Sequence, residues 1–250
     1  MADPAAPFAG PSAAPSAVRG PLTPVSALGG HDAVVGAVRV RERANLGIVS
    51  LAVPLGGADA FDAALRDGYG VERPPVGRSA RARDVRAGDG RAGDRRAEDV
   101  RVAALQADQF WLVSADADTA LANARARMGD AAYLTDQSDA WVALRLDGAG
   151  GDGARDGSGD ADAGEAVRAA LRRMCPLDLD ALPDGAATRT VMEHLGVVLL
   201  REGDGYTLLS ARSSAPSLLH AVELSARYAA PAGFAAGSAT LLQPRTGGRT

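Results

Sequence analysis

The chain contains no lysine; all 27 of its basic residues are arginine. That absence removes the lysine Schiff base and the phosphate-loop lysine from the available mechanisms. A single cysteine, Cys175, excludes an internal disulfide and a cysteine-based zinc site. Aromatic residues are scarce, at 4% of 250 positions, and no run approaches the roughly 18 apolar residues of a membrane span. The N-terminus lacks the basic start and apolar core of a signal peptide. A net charge of -4 argues against a polyanionic nucleic-acid partner, since such binders carry a basic excess. No Gly-x-Gly-x-x-Gly follows a strand, and neither a glycine-rich phosphate loop nor a Gly-x-Ser-x-Gly elbow occurs in frame. The expectation is a cytoplasmic protein with no membrane span and no nucleic-acid partner.

Hydrophobic residues make up 46% of the chain, but many are alanine, which buries little area per residue. Residues 1–30 hold six of the fourteen prolines among Ala, Ser and Gly, a composition that predicts disorder. Residues 78–99 interleave seven arginines with five acids. The acids cancel most of the field and no aromatic residue is there to stack on a base, so this reads as a solvated insertion rather than a nucleic-acid arm. Residues 147–165 are rich in Asp and Gly but lack the ligand register of a calcium loop, and read as a flexible linker. The tail, 229–250, reads as loose. These breaks leave a first α+β part over 31–146 and a second over 166–228.

Within those parts the patterns are regular. Residues 33–43 predict a short strand or an extended arm, and Asn45–Val53 a strand. Asp59 begins a short helix with Phe61, Ala64 and Leu65 inward and Gly68 as its stop. Two strands meet at a turn near Asp108, and Asp116 or Asp118 caps a helix whose Leu121, Ala124 and Met128 share a face. Ala131–Leu134 predicts a short strand. From Asp139 to Leu146 the alternation predicts a strand with one covered face, that of Ala140, Val142, Leu144 and Leu146. Val167, Ala170, Leu171 and Met174 mark one face of a helix that Pro176 ends. Gly203-Asp204-Gly205 marks a hairpin turn, and Ser214 with Pro216 opens a last helix. The fold class expected is α+β, with small antiparallel or mixed sheets covered by helices.

Candidates for chemistry are few. His31 lies beside the proline-rich lead, and His220 on the last helix. Glu193 and His194 are adjacent and could serve proton transfer if both faced a cleft, but on a strand they point to opposite faces and are poorly placed to work together. Cys175, between Met174 and Pro176, reads as a packed and inert thiol. No reaction follows from these residues alone.

The segment Cys175–Leu200, CPLDLDALPDGAATRTVMEHLGVVLL, closely resembles the signature of the gamma subunit of heterotetrameric sarcosine oxidase. The pattern is met at Cys175 to Leu179, Pro183, Gly185, Arg189 and Met192 to Gly196; Arg43–Val53 and Gln109–Asp116 also fit. Phe110–Val113, Gln137-Ser138-Asp139, Trp141–Leu146 and Val167–Met174 follow the order of the folate-binding T-protein of the glycine cleavage system, of which the chain resembles a shortened relative. The departures are the missing glycine-glutamate signature after Gly205, the end of the chain before a C-terminal barrel, and the missing Cys-Tyr-x-Gly-Gln-Glu motif of the related iron-sulfur assembly factors. Folate binding is therefore not carried over.

The resemblance implies a non-catalytic chain, inactive in isolation, within a complex that oxidises sarcosine to glycine. Such a complex yields hydrogen peroxide and a one-carbon unit, either methylenetetrahydrofolate or formaldehyde. It implies alpha, beta and delta subunits as partners, with FAD, FMN, NAD, tetrahydrofolate and zinc carried by those other chains. Arg189 and His194 are expected near a subunit contact. The alternative is a stand-alone tetrahydrofolate-binding module or an aminomethyltransferase-like enzyme.

Overall fold

The computed structural model describes residues 25–82, 100–149 and 161–229. In chain order it contains β1 (Asp32–Val35), β2 (Val38–Glu42), β3 (Gly47–Ala52), α1 (Ala58–Tyr69), β4 (Ser79–Arg81), β5 (Val100–Ala104) and β6 (Gln109–Ser114). There follow α2 (Ala117–Met128), β7 (Tyr133–Asp136), β8 (Trp141–Gly148), α3 (Ala161–Arg172), β9 (Ala187–Met192), β10 (Leu195–Glu202), β11 (Gly205–Ala211) and α4 (Ala215–Tyr228). One sheet has the order β1-β2-β8-β11-β10-β9 and the other β4-β5-β6-β3-β7. Every pairing in both is antiparallel. The α+β class is therefore the observed one.

Three apolar clusters define four layers. Val49, Leu51, Val102, Phe110 and Leu112 on one face of the five-stranded sheet pack with Phe61, Leu65 and Tyr69 of α1 and Ala120, Ala124 and Met128 of α2. Val142, Leu144, Leu146, Val197, Leu199 and Leu208 of the six-stranded sheet pack with Val167, Ala170 and Leu171 of α3 and Leu218, Val222 and Ala226 of α4. Between the sheets lie Ile48, Ala103, Trp111 and Val113 from one side and Ala143, Val198, Leu200 and Leu209 from the other. Both faces of each sheet are thus covered. This is why β10 reads as a near-continuous apolar run instead of an alternation.

Local chemistry sets the helix ends and their seating. The Asp116 carboxylate accepts from the Asp118 N–H at 3.0 Å and from the Thr119 hydroxyl at 2.9 Å, capping α2. A Cβ on Gly47 would come 2.6 Å from the Ala120 Cβ, so glycine in β3 lets α2 lie against the sheet. The Ser225 hydroxyl donates to the Ala170 carbonyl at 2.7 Å and joins α4 to α3.

Several expectations are corrected. Residues 33–43 form two strands of a hairpin, not one, because Gly36 takes φ 61 and turns the chain. Gly68 is inside α1 and Gly70, at φ 64, ends it. Gly68 instead permits helix contact, since a Cβ there would stand 2.9 Å from the Arg127 Cβ of α2. The strand expected at Ala131–Leu134 starts at Tyr133, after a 3-10 turn over Gly129–Ala131. β8 is covered on both faces, because Ala143 and Trp141 face the second sheet.

Of the lead expected to be disordered, residues 25–30 are held in place. Glu42 accepts from the Ser26 hydroxyl at 2.5 Å and from the N–H groups of Ala27, Leu28 and Gly30 at 2.9, 3.1 and 2.9 Å. Residues 1–24 lie outside the described residues. Positions 79–81 of the expected insertion pair with β5, while 83–99 lie outside the described residues, as do 150–160 of the expected linker and 230–250 of the tail. The two α+β parts share one sheet, in which β8 pairs with both β2 and β11. Among the described residues, no helix is long and apolar enough to cross a membrane.

Candidate functional site: an arginine-lined cleft

The residues singled out in the sequence do not converge. Cys175 is buried in the core beneath α3 and α4, and burial pushes its thiol up, offset only in part by the Leu177 N–H. A thiol so placed is a poor nucleophile. Glu193 and His194 are not on a strand. They form the two-residue turn between β9 and β10, at φ 46 and φ 70, and both are exposed. Paired positive φ values belong to a type I′ hairpin turn, where glycine and asparagine are the usual occupants. Neither residue type signals such a turn, so the sequence carries no sign of it at this position.

Arg189 is exposed on β9, an edge strand of the six-stranded sheet. His220 is exposed on α4 and lines a shallow groove with Arg173, Glu193 and Tyr228. The His31 Nε2 lies 3.3 Å from Glu223 Oε1 but is not aligned for a hydrogen bond.

What the fold does bring together is a set of arginines far apart in sequence. A cleft of about 660 Å³ is lined by Arg41 and Arg43 at the end of β2, Arg81 on β4, Arg101 on β5, Arg145 on β8 and Glu202 at the end of β10. Glu202 sits at its centre. Its Oε2 accepts from Arg145 Nη1 and from the Thr207 hydroxyl, each at 2.7 Å, and lies 3.8 Å from Arg43 Nη1. Its Oε1 is 3.3 Å from Arg101 Nε. Burial raises the Glu202 pKa, but the Thr207 hydroxyl and the three guanidinium groups together outweigh it and hold the carboxyl below its usual range. Glu202 is therefore ionised at neutral pH.

The network extends on either side. Arg145 Nε donates to Asp147 Oδ1 at 2.8 Å, and Asp147 Oδ2 is 3.8 Å from Arg41 Nη2. Gly205 leaves room for this arrangement, since a Cβ there would collide with both Arg145 and Asp147. Arg101 Nη1 donates to the Ser79 hydroxyl at 3.1 Å, which in turn donates to the Gly185 carbonyl at 3.0 Å. The cleft thus spans the seam where one end of the five-stranded sheet meets the other sheet.

Arginine holds its proton at any physiological pH, so the cleft offers charge and directed donors rather than proton transfer. Among the described residues, no group of three or more His, Cys, Asp or Glu could hold a metal ion.

Solved structures share this fold. A chain of heterotetrameric sarcosine oxidase from Corynebacterium sp. U-96, in complex with pyrrole 2-carboxylate, aligns with a TM-score of 0.59 and 23% identity, over 83% of this chain and 97% of that one. The glycine cleavage system aminomethyltransferase T from Bartonella henselae aligns with a TM-score of 0.51 and 16% identity, over 77% of this chain and 50% of that one. The chain thus has the T-protein-like fold expected of it, and spans about half the length of that enzyme. No family model and no curated protein matches the chain.

Proposed function

We propose that the chain is a non-catalytic, structural subunit of a sarcosine oxidase complex, in the gamma position. The observation that carries this reading is the extent of the fold likeness: it takes in 97% of a chain from a heterotetrameric sarcosine oxidase, against half of the aminomethyltransferase. The likeness therefore runs to a whole subunit in one case and to part of an enzyme in the other. The geometry is compatible with the scaffold role. Cys175 is enclosed, Glu193 and His194 form a turn, and the cleft carboxylate is locked among arginines.

In this reading the complex demethylates sarcosine to glycine, with hydrogen peroxide and a one-carbon unit as the other products. The flavins, NAD, tetrahydrofolate and zinc sit on the alpha, beta and delta subunits. The edge strand β9 and its turn, carrying Arg189 and His194, form part of the surface that meets them. An exposed strand edge is suited to this, because its backbone groups are available to a partner.

Co-expression with alpha, beta and delta subunits tests the proposal. Co-purification in constant proportion, with oxidase activity absent from the chain alone, is the expected result; a chain that elutes separately as a monomer sinks it. Alanine at Arg189 or His194 is expected to weaken assembly. The fold likeness to the aminomethyltransferase keeps a tetrahydrofolate-binding module as the second reading. Saturable micromolar binding of tetrahydrofolate to the isolated chain would favour it.

A further inference from the structure

We propose that the arginine-lined cleft binds a small organic polyanion carrying at least two carboxylate or phosphate groups. Four observations converge on it. The first is charge: the guanidinium groups of Arg41, Arg43, Arg81, Arg101 and Arg145 meet the carboxylates of Glu202, Asp147 and Asp184, which leaves a surplus of positive charge among the described residues.

The second is availability. The chain of contacts from Arg101 through Glu202 and Arg145 to Asp147 already joins the two sheets. Arg41 adds nothing comparable, since its nearest carboxylate oxygen is 3.8 Å away and its side chain is 46% exposed. Asp184, on the same cleft, accepts at Oδ1 from the N–H groups of Gly185 and Gly203, at 2.8 and 2.7 Å.

The third is size. At about 660 Å³ the cleft falls within the range of small-molecule sites. Its arginine lining selects a hydrophilic, charged occupant rather than an apolar one. The fourth is rigidity. Glu202 and Asp147 fix the Arg145 fork, and Gly205 leaves the space for it. With its Nε and both Nη groups already donating to Asp147 and Glu202, Arg145 is a fixed positive wall of the cleft and leaves the direct grip on an anion to Arg41. The inference is independent of the assembly proposed above.

Calorimetric titration of the full chain, alone or in its complex, with citrate and with tripolyphosphate tests this against sodium chloride at matched ionic strength. The expected result is saturable binding of one molecule with Kd below about 100 μM for at least one probe, of the order that a few charge-assisted contacts supply. Preference for citrate marks carboxylates as the natural groups, and preference for tripolyphosphate marks phosphates. The variant Arg41→Gln is expected to lose at least tenfold in affinity with its circular dichroism unchanged, while Arg66→Gln on α1 binds as the parent does. Binding of neither probe above the salt control, or equal binding by Arg41→Gln, overturns the proposal. Binding of a poly-glutamate peptide with neither small probe bound also overturns it, and gives the cleft to an acidic segment of a partner.

Discussion

Trp111 of the five-stranded sheet and Trp141 of the six-stranded sheet meet edge to face, with ring centroids 4.7 Å apart and planes inclined at 66°. They are the chain's two tryptophans, and each comes from a different layer. Trp111 is 3% exposed, while Trp141 packs at the margin of the same cluster. Trp111→Ala is expected to cost about 3–5 kcal/mol, the range for removing a large buried ring. Trp141→Phe is expected to cost much less. Urea unfolding followed by fluorescence of the remaining tryptophan gives both values, and equal costs would contradict the layer assignment.

Glu202→Gln removes the charge that three guanidinium groups share. The expected loss at pH 7 is about 3 kcal/mol, at the low end for breaking a buried pair because the Glu202 side chain retains 18% exposure. The folded pKa of Glu202 is depressed, so its contribution is complete above the ordinary glutamate pKa and is lost as pH falls through the lowered value. Thermal melts of parent and variant should therefore converge in acid. A gap that stays constant down to pH 3 would refute this account.

Glu42 anchors residues 25–30 through one hydroxyl and three backbone N–H groups. Burial raises its pKa, but these donors outweigh it and lower it overall. Glu42→Ala is expected to release the segment. Hydrogen exchange at Ala27, Leu28 and Gly30 should rise at least tenfold, with smaller changes in the sheets. Unchanged exchange at those three amides would place the anchor elsewhere.

At the β9–β10 turn, two residues with side chains hold positive φ, at a cost of roughly 1–2 kcal/mol for each residue in the left-handed region. Replacing Glu193-His194 by Asn-Gly is expected to raise stability by about 1–2 kcal/mol, read as a higher urea midpoint at unchanged slope. A loss instead of a gain would show that these side chains make contacts that offset the strain.

What could be read from the sequence was local. The face formed by Val167, Ala170, Leu171 and Met174 is buried as the helical period requires, and the Gly203-Asp204 turn joins β10 and β11. Asp116 caps α2 by the short-range logic of its side chain. The second buried face of β8 was hidden, because only another sheet makes Ala143 a core residue. The anchoring by Glu42 was equally hidden, since a charged residue at a strand end carries no sign of the loop that will wrap it. The cleft was the hardest to see. Arg41, Arg101 and Arg145 lie on three strands, and only strand order brings them together.

The strand order also governs how the chain must mature on the ribosome. All five strands of one sheet lie between Gly47 and Asp136, so that sheet and its two helices can assemble while the rest is still being made. Its other face, with Ile48, Trp111 and Val113, is covered only by Trp141 and Ala143 of β8 until Val198, Leu200 and Leu209 have emerged. β8 likewise waits for β11 with one edge open. Translation that stalls between these points leaves a sticky half-molecule, with a partly bare apolar face and an unpaired strand. Nascent-chain protection is therefore needed most in that interval, and truncations ending there should aggregate where the full-length chain does not.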